Sequence, residues 1–253
     1  MALFIFLFGC IIGSFLNVCI YRIPENKSIA FPGSHCPHCS TPLKWYDLIP
    51  VLSFMFLKGR CRYCGEKISP RYPLVELLNG LIYLFLYYSF GLGIDYFYYS
   101  IIISILMVIF FIDMDHQIIP NKLILIVFLL DIAYKIIRYF LLNESINILN
   151  YLSGLAIGAI LFILIFIFSK GGIGGGDIKL IGVLGFILGM PLIFLNMFLS
   201  FVLGGIISIF LVIFKIKSRK DPIAFGPFLV IGFLISLFWG YEIVYWYLHQ
   251  ILG

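Results

Sequence analysis

Ile101-Ile102-Ile103-Ser104-Ile105-Leu106-Met107-Val108-Ile109-Phe110-Phe111-Ile112-Asp113 is apolar at every position but Ser104 before it meets a carboxylate. No charge lies between Asp95 and Asp113. As a helix that interval is about 25 Å long, close to the hydrocarbon thickness of a bilayer. The stretch therefore reads as a membrane helix that delivers an acid at its end. Runs of the same kind recur along the chain, and windows of about 19 residues predict spans at 2–20, 73–90, 97–114, 121–140, 149–169, 177–190, 192–214 and 223–248. Composition agrees: 62% of the 253 residues are hydrophobic and only 11% charged, too few charges to cover a soluble surface, for which about 25% is usual. The expected fold is an all-α polytopic membrane protein of about eight transmembrane helices. Soluble enzyme, secreted disulfide scaffold and disordered chain are excluded.

The charge of +5 is informative in its placement. Arg22, Lys27, Lys44, Lys58, Arg60, Arg62, Lys67 and Arg71 all fall in the hydrophilic segment 21–72, which the positive-inside rule assigns to the cytoplasm. Alternation then brings the loops near 113–121, 170–177 and 215–222 to the same side, and Lys215, Lys217, Arg219 and Lys220 in the last of these agree. Lys135 and Arg138, near the outer end of the fourth span, fit the rule poorly and are expected to snorkel to the headgroups. The first run lacks a basic n-region and a small-residue cleavage site, so it is expected to be a retained helix. Nucleic acid is an unsuitable partner, because the basic residues alternate with Pro and Cys and form no stripe.

Residues 21–72 are too few to bury a secure core without a staple. Cys36-Pro37-His38-Cys39 and Cys61-Arg62-Tyr63-Cys64 supply one: two Cys-x-x-Cys knuckles at this separation match a closed, tetrahedral, structural Zn2+ site. A reducing cytoplasm disfavours disulfides. His35 and His38 flank the first knuckle and read as solvated, while Cys10 and Cys19 read as small packing residues of the first helix. The division expected is a first transmembrane helix at 1–20, a cytoplasmic zinc-binding domain at 21–72 and a membrane domain at 73–253.

Two acids stand apart from the loop carboxylates. Asp113 ends its apolar run and opens Asp113-Met114-Asp115-His116-Gln117-Ile118-Ile119-Pro120-Asn121, and Asp177 follows Gly171-Gly172-Ile173-Gly174-Gly175-Gly176 and precedes Ile178-Lys179-Leu180. Both are expected at the cytoplasmic boundary, where an ionisable group is a functional-site hypothesis. The glycine stretch lacks the Gly-Lys-Ser/Thr of a P-loop and the βαβ setting of a dinucleotide site. The ordinary reading of it is a flexible linker with Asp177 as the helix N-cap. The functional one is a carboxylate pair that shares a proton and activates water, provided the third and sixth spans pack together. Proton or cation transport through the same acids is the rival from another class. None of the four histidines has a nucleophile-elbow context, which removes serine-histidine chemistry.

Taken together these motifs resemble the prepilin peptidase family of membrane aspartic proteases over nearly the whole chain. The resemblance runs through Gly13-Ser14-Phe15-Leu16-Asn17-Val18, Tyr21-Arg22-Ile23-Pro24, both knuckles, Trp45-Tyr46-Asp47-Leu48-Ile49-Pro50-Val51-Leu52-Ser53, Ile68-Ser69-Pro70-Arg71-Tyr72-Pro73-Leu74-Val75-Glu76, the two acid motifs, and Ala224-Phe225-Gly226-Pro227-Phe228. It implies that Asp113 and Asp177 are the catalytic aspartates. By the same resemblance the substrates are type IV prepilins or type II secretion prepseudopilins, in a bacterial plasma membrane. It further implies that the cysteine-bearing segment goes with N-methylation of the new N-terminus by S-adenosylmethionine, with Gly59 and Glu76 near that function. The segment is too short for a Rossmann methyltransferase, so the methyl-donor site is expected to draw on membrane-domain residues.

Overall fold

The computed structural model describes residues 1–218 and 221–251; Arg219 and Lys220 of the basic loop lie outside the described residues. The described chain is helical: α1 (Ala2–Arg22), α2 (Leu52–Phe56), α3 (Arg71–Phe90), α4 (Ile94–His116), α5 (Asn121–Leu141), α6 (Ile148–Phe168), α7 (Gly175–Leu188), α8 (Leu192–Ile213) and α9 (Gly226–Ile251). All but the short α2 coincide with the eight apolar runs. Six of them, α1, α3, α4, α6, α8 and α9, are long and apolar enough to cross a membrane. The other two fall short for different reasons: α7 has only 14 residues, and α5 carries Lys122, Asp131, Lys135 and Arg138. The break between α7 and α8 falls at Gly189, whose φ of +67° suits glycine, and Asn150 Oδ1 accepts from Met190 N at 2.9 Å.

The chain divides into two compact units, Met1–Val108 and Ile109–Gly253. In the first, α1 packs along α3 with almost no side chain between the backbones. A Cβ on Gly9 would sit 2.8 Å from Gly80 Cα, and one on Gly13 would sit 2.7 Å from Glu76 Cα. At such close approach polar groups can bond across the seam: Asn79 Nδ2 donates to Gly9 O at 2.7 Å and Asn17 Nδ2 to Tyr72 O at 3.0 Å. Cys10 and Cys19 are buried there, as expected.

In the second unit α7 is surrounded by α5, α6, α8 and α9. Every residue from Leu180 to Leu188 is buried, which accounts for a helix that is apolar all round. Its contact with α6 is backbone on backbone, since a Cβ on Gly154 would lie 2.2 Å from Gly185 O. The snorkelling expected of Lys135 is wrong. Its side chain is 13% exposed and pairs with Asp131 one turn earlier. It also donates to Phe186 O at 3.2 Å and lies 4.2 Å from the Tyr151 ring centroid. A buried cation finds its cheapest partner in a carboxylate and a carbonyl, not in water it cannot reach. Arg138 pairs with Glu144. Lys135→Met is expected to destabilise the protein by about 3–5 kcal/mol by stranding the charge of Asp131, and adding Asp131→Asn is expected to restore much of that; unfolding in a mild detergent reads both.

Candidate active site and cysteine centre

Asp113 lies in the last turn of α4 and is 4% exposed. Asp177 lies in the first turn of α7 and is 8% exposed. The helix begins two residues earlier than the sequence suggested, so Asp177 is not the N-cap. Gly174 is, and its N–H donates to Asp177 Oδ2 at 3.1 Å. Asp113 Oδ2 in turn accepts from Gly226 N at 2.9 Å, in the first turn of α9. Each acid thus takes a backbone N–H from a helix N-terminus, an environment that favours negative charge. The turn of α7 that carries Asp177 and the turn of α9 that holds Asp113 meet at Ile119, and Asp177 Oδ1 is buried with no hydrogen-bond partner among the described residues. A buried carboxylate oxygen left unpaired is costly unless it holds a proton or a water.

Ile119-Pro120-Asn121 is the wedge between these elements. Gly176 and Gly226 both face Ile119, a Cβ on either lying 3.0 and 3.2 Å from its side chain. Asn121 Oδ1 accepts from Lys179 Nζ at 2.9 Å, which ties the Pro-Asn motif to the turn after Asp177. Gln117 Nε2 donates to Pro222 O at 3.1 Å. Asp115 and His116 are exposed. Gly226 was read from the sequence only as the start of a span; its role depends on tertiary contact. A Cβ there would lie 2.7 Å from Asp113 Oδ2, so Gly226→Ala must push the carboxylate or the α9 turn aside. Misplacement on that scale is expected to lower any turnover that depends on Asp113 about 10- to 100-fold while the protein stays folded, as steady-state kinetics beside a thermal melt would report.

The cysteine loops form a separate centre in the first unit. The sulfurs of Cys36, Cys39, Cys61 and Cys64 all lie within 4.8 Å of one another. Cys36 Sγ and Cys64 Sγ are 3.9 Å apart, far beyond a disulfide and near the roughly 3.8 Å that Zn–S bonds of 2.3 Å impose on a tetrahedron. The two loops are built alike. Cys36 N donates to Thr41 O and Ser40 N to Cys36 O; Cys61 N donates to Glu66 O and Gly65 N to Cys61 O. The residue after each second cysteine has positive φ, Ser40 at +53° and Gly65 at +74°, which turns the backbone back beneath the sulfurs. The Thr41 hydroxyl, 3.2 Å from Cys39 Sγ, and the Thr41 N–H bring the Cys39 thiol down to about 6. Cys64 is pushed up to about 12: the Glu66 N–H pulls it down, but burial and the neighbouring sulfurs outweigh it. Four crowded thiols cannot all ionise without a cation, so the donor set fits a divalent soft-accepting metal. His35 and His38 are exposed and outside the cluster.

Asp47 was quoted in the sequence only as part of a linker. It ties the linker to the second knuckle: its carboxylate accepts from Arg62 Nε at 2.6 Å, Tyr63 OH at 2.9 Å and Lys44 N at 3.2 Å. Burial alone would raise its pKa, but these bonds outweigh it and hold the carboxyl below the usual range.

Beside the cysteine loops lies a cavity of about 500 Å³, whose lining includes Asn17, Tyr21, Phe54, Tyr72 and Glu76, within the size range of small-molecule sites. Asn17 Oδ1 is buried there with no partner, and Glu76 Oε2 accepts from Val51 N at 2.7 Å. Gly59 is outside the lining; at φ +69° it lies beneath the ring of Phe54, which is part of it.

Comparison with known proteins supplies the family. The model described as "Bacterial Peptidase A24 N-terminal domain" matches residues 7–90, and the model described as "Type IV leader peptidase family" matches residues 100–209. The prepilin leader peptidase/N-methyltransferase of Bacillus subtilis is 34% identical over 98% of both chains. The chain belongs to the prepilin leader peptidase/N-methyltransferase family. The Legionella pneumophila member is 33% identical over 98% of this chain and 94% of its own, and the Klebsiella pneumoniae member 36% over 74% and 84%. No solved structure matches. Membership in this family supports enzymatic activity of the peptidase and methyltransferase kind.

Proposed function

We propose that the chain cleaves the basic leader from type IV prepilins or prepseudopilins and then N-methylates the new N-terminal residue with S-adenosylmethionine. The observation that carries the peptidase reading is the buried pair Asp113 and Asp177, each held by a helix N-terminal N–H, with Asp177 Oδ1 left unpaired. In this reading one carboxylate is ionised and takes a proton from water as the water oxygen attacks the scissile carbonyl. The protonated partner donates a hydrogen bond to the developing oxyanion, and a carboxyl proton passes to the departing amine as the C–N bond breaks. The pair titrates as a unit, so the proton belongs to both.

Residues 21–72 form the cytoplasmic zinc-binding domain and 73–253 the peptidase domain, with α5 and α7 completing eight membrane helices. The short α7 needs no lipid contact because its neighbours surround it. With 21–72 in the cytoplasm, the dyad lies at the cytoplasmic face, just outside the membrane helix of the substrate, where water has access. Cys36, Cys39, Cys61 and Cys64 hold the Zn2+, which supplies structure and no open catalytic position.

The 500 Å³ cavity is suited to the methyl donor, which supplies an electrophilic methyl group when bound. Asn17 Oδ1 offers an unpaired acceptor, Glu76 a carboxylate toward the incoming amine and its departing proton, and Tyr21, Tyr72 and Phe54 apolar rings. The test is one preparation and two readouts. Purified protein in lipid is given a prepilin, and both leader release and transfer of labelled methyl to the pilin N-terminus are followed. Both are expected. Glu76→Gln is expected to lower methyl transfer at least about tenfold with cleavage within about threefold. Cleavage without any methyl transfer by the wild-type protein refutes the second activity, and no cleavage refutes the first.

A further inference from the structure

We propose that α2 is an interfacial anchor whose Leu52, Met55 and Phe56 seat in the boundary between headgroups and acyl chains of the bilayer. The proposal rests on the reading of α1 and α3 as membrane spans. Its first support is depth. Val51, the N-cap of α2, donates its N–H to Glu76 Oε2 at 2.7 Å. Glu76 is five residues inside α3 from Arg71, roughly 7.5 Å along the axis, and helical side chains tilt back toward the N-terminus. The start of α2 is thereby held beside the first turns of a spanning helix. Interfacial elements bury their apolar faces at about 5–10 Å into that boundary.

The second support is the distribution of side chains on α2. Ser53, Phe54 and Leu57 face the cavity and line it. Leu52, Met55 and Phe56 point away and are 49%, 65% and 81% exposed. At spacings of three and four residues these form one patch, and Leu74, Leu77 and Leu78 in the first turns of α3 are exposed as well. The third support is charge. Lys58 follows α2 and is exposed, where a long basic side chain reaches phosphate headgroups while its stem stays in the apolar layer; Arg60, also exposed, donates to Gly65 O. One thin element thus has lipid on one face and the cavity on the other. The bilayer surface then holds the Ser53-Phe54 wall of the methyl-donor cavity in place.

Full-length protein is reconstituted in vesicles of phosphatidylethanolamine and phosphatidylglycerol, with benzoylphenylalanine in place of Phe56, Met55 or Leu81 in turn. After illumination the adducts are identified by mass spectrometry. Phe56 and Met55 are exposed, so the replacement leaves the fold unstrained. Lipid adducts at 55 and 56 are expected within about threefold of the yield at Leu81, on the lipid face of α3. Lipid adducts at Leu81 with none at 55 and 56 overturn the proposal, as does crosslinking of 56 to a second copy of the chain or to added prepilin. No lipid adduct at Leu81 overturns the span reading and the proposal together. As a second measurement, Met55→Glu with Phe56→Glu is expected to raise amide exchange over residues 52–57 by at least about tenfold in vesicles; unchanged exchange counts against the anchor.

Discussion

Asp113→Asn and Asp177→Asn each lower prepilin cleavage by at least about 1,000-fold, and the double variant is no worse than either alone. Both statements follow from the geometry. A carboxamide can neither take the proton from water nor give one to the leaving amine, and a pair that shares one proton works only as a pair. Asp113 accepts from Gly226 N and Asp177 from Gly174 N, and an Asn side-chain oxygen can accept either. The fold should therefore survive. Removing one of two mutually repelling buried acids is expected to leave thermal stability unchanged or raise it, as is common when strained catalytic groups are neutralised. Asp115→Asn is the control: Asp115 is exposed, and cleavage should stay within about threefold. Wild-type-like turnover by either dyad variant, with leader release followed by mass spectrometry, removes the aspartic mechanism.

What the sequence made legible was local. Cys36, Cys39, Cys61 and Cys64 announce a metal because a two-residue gap is sufficient for one knuckle to hold two ligands. Asp113 and Asp177 stand out because an acid that ends an apolar run has few ordinary reasons to be there. The helices followed from hydropathy, yet hydropathy does not register who surrounds a helix. Hydropathy reads the 14-residue α7 as one span among eight, and it does not show that α5, α6, α8 and α9 pack around it. Lys135 was misplaced for the same reason: along the chain a lysine in an apolar run reads as snorkelling, and only packing against Phe186 and Tyr151 shows that it is buried. Asp131, four residues earlier, was the available signal. Gly226, Asp47 and Asn17 could be quoted as parts of motifs but not given roles. Their work is to meet Asp113, the Arg62–Tyr63 pair and the cavity, contacts spanning 113, 15 and 55 residues of chain.

Replacing any one of Cys36, Cys39, Cys61 or Cys64 by Ser is expected to abolish stoichiometric zinc and to open residues 21–72 to proteases between Arg22 and Arg71. The segment has only two isolated β-bridges, His35 with Pro42 and Arg60 with Lys67, one short helix and a 3-10 turn, so it has little regular structure to fall back on. A structural zinc contributes about 10–16 kcal/mol of apparent binding free energy to such a domain, more than the whole stability of many domains. Asp47 supplies a second clasp, and its depressed carboxyl fixes the sign of a pH effect. That contribution is complete above the pKa of the unfolded chain, near 4, and fades as pH falls through the lower folded value. Near neutral pH the clasp is intact, so loss of order in a Cys→Ser variant there is due to the metal. Methyl transfer should fall with zinc, because Cys36 and Cys61 line the same cavity as Asn17 and Glu76. Cleavage should fall less, since Asp113, Asp177, Gly174 and Gly226 all belong to the second compact unit. Metal analysis decides the matter: about one zinc per chain in the wild type and near none in the variants agrees with a closed Cys₄ site, whereas ordered, methylating protein without metal refutes it.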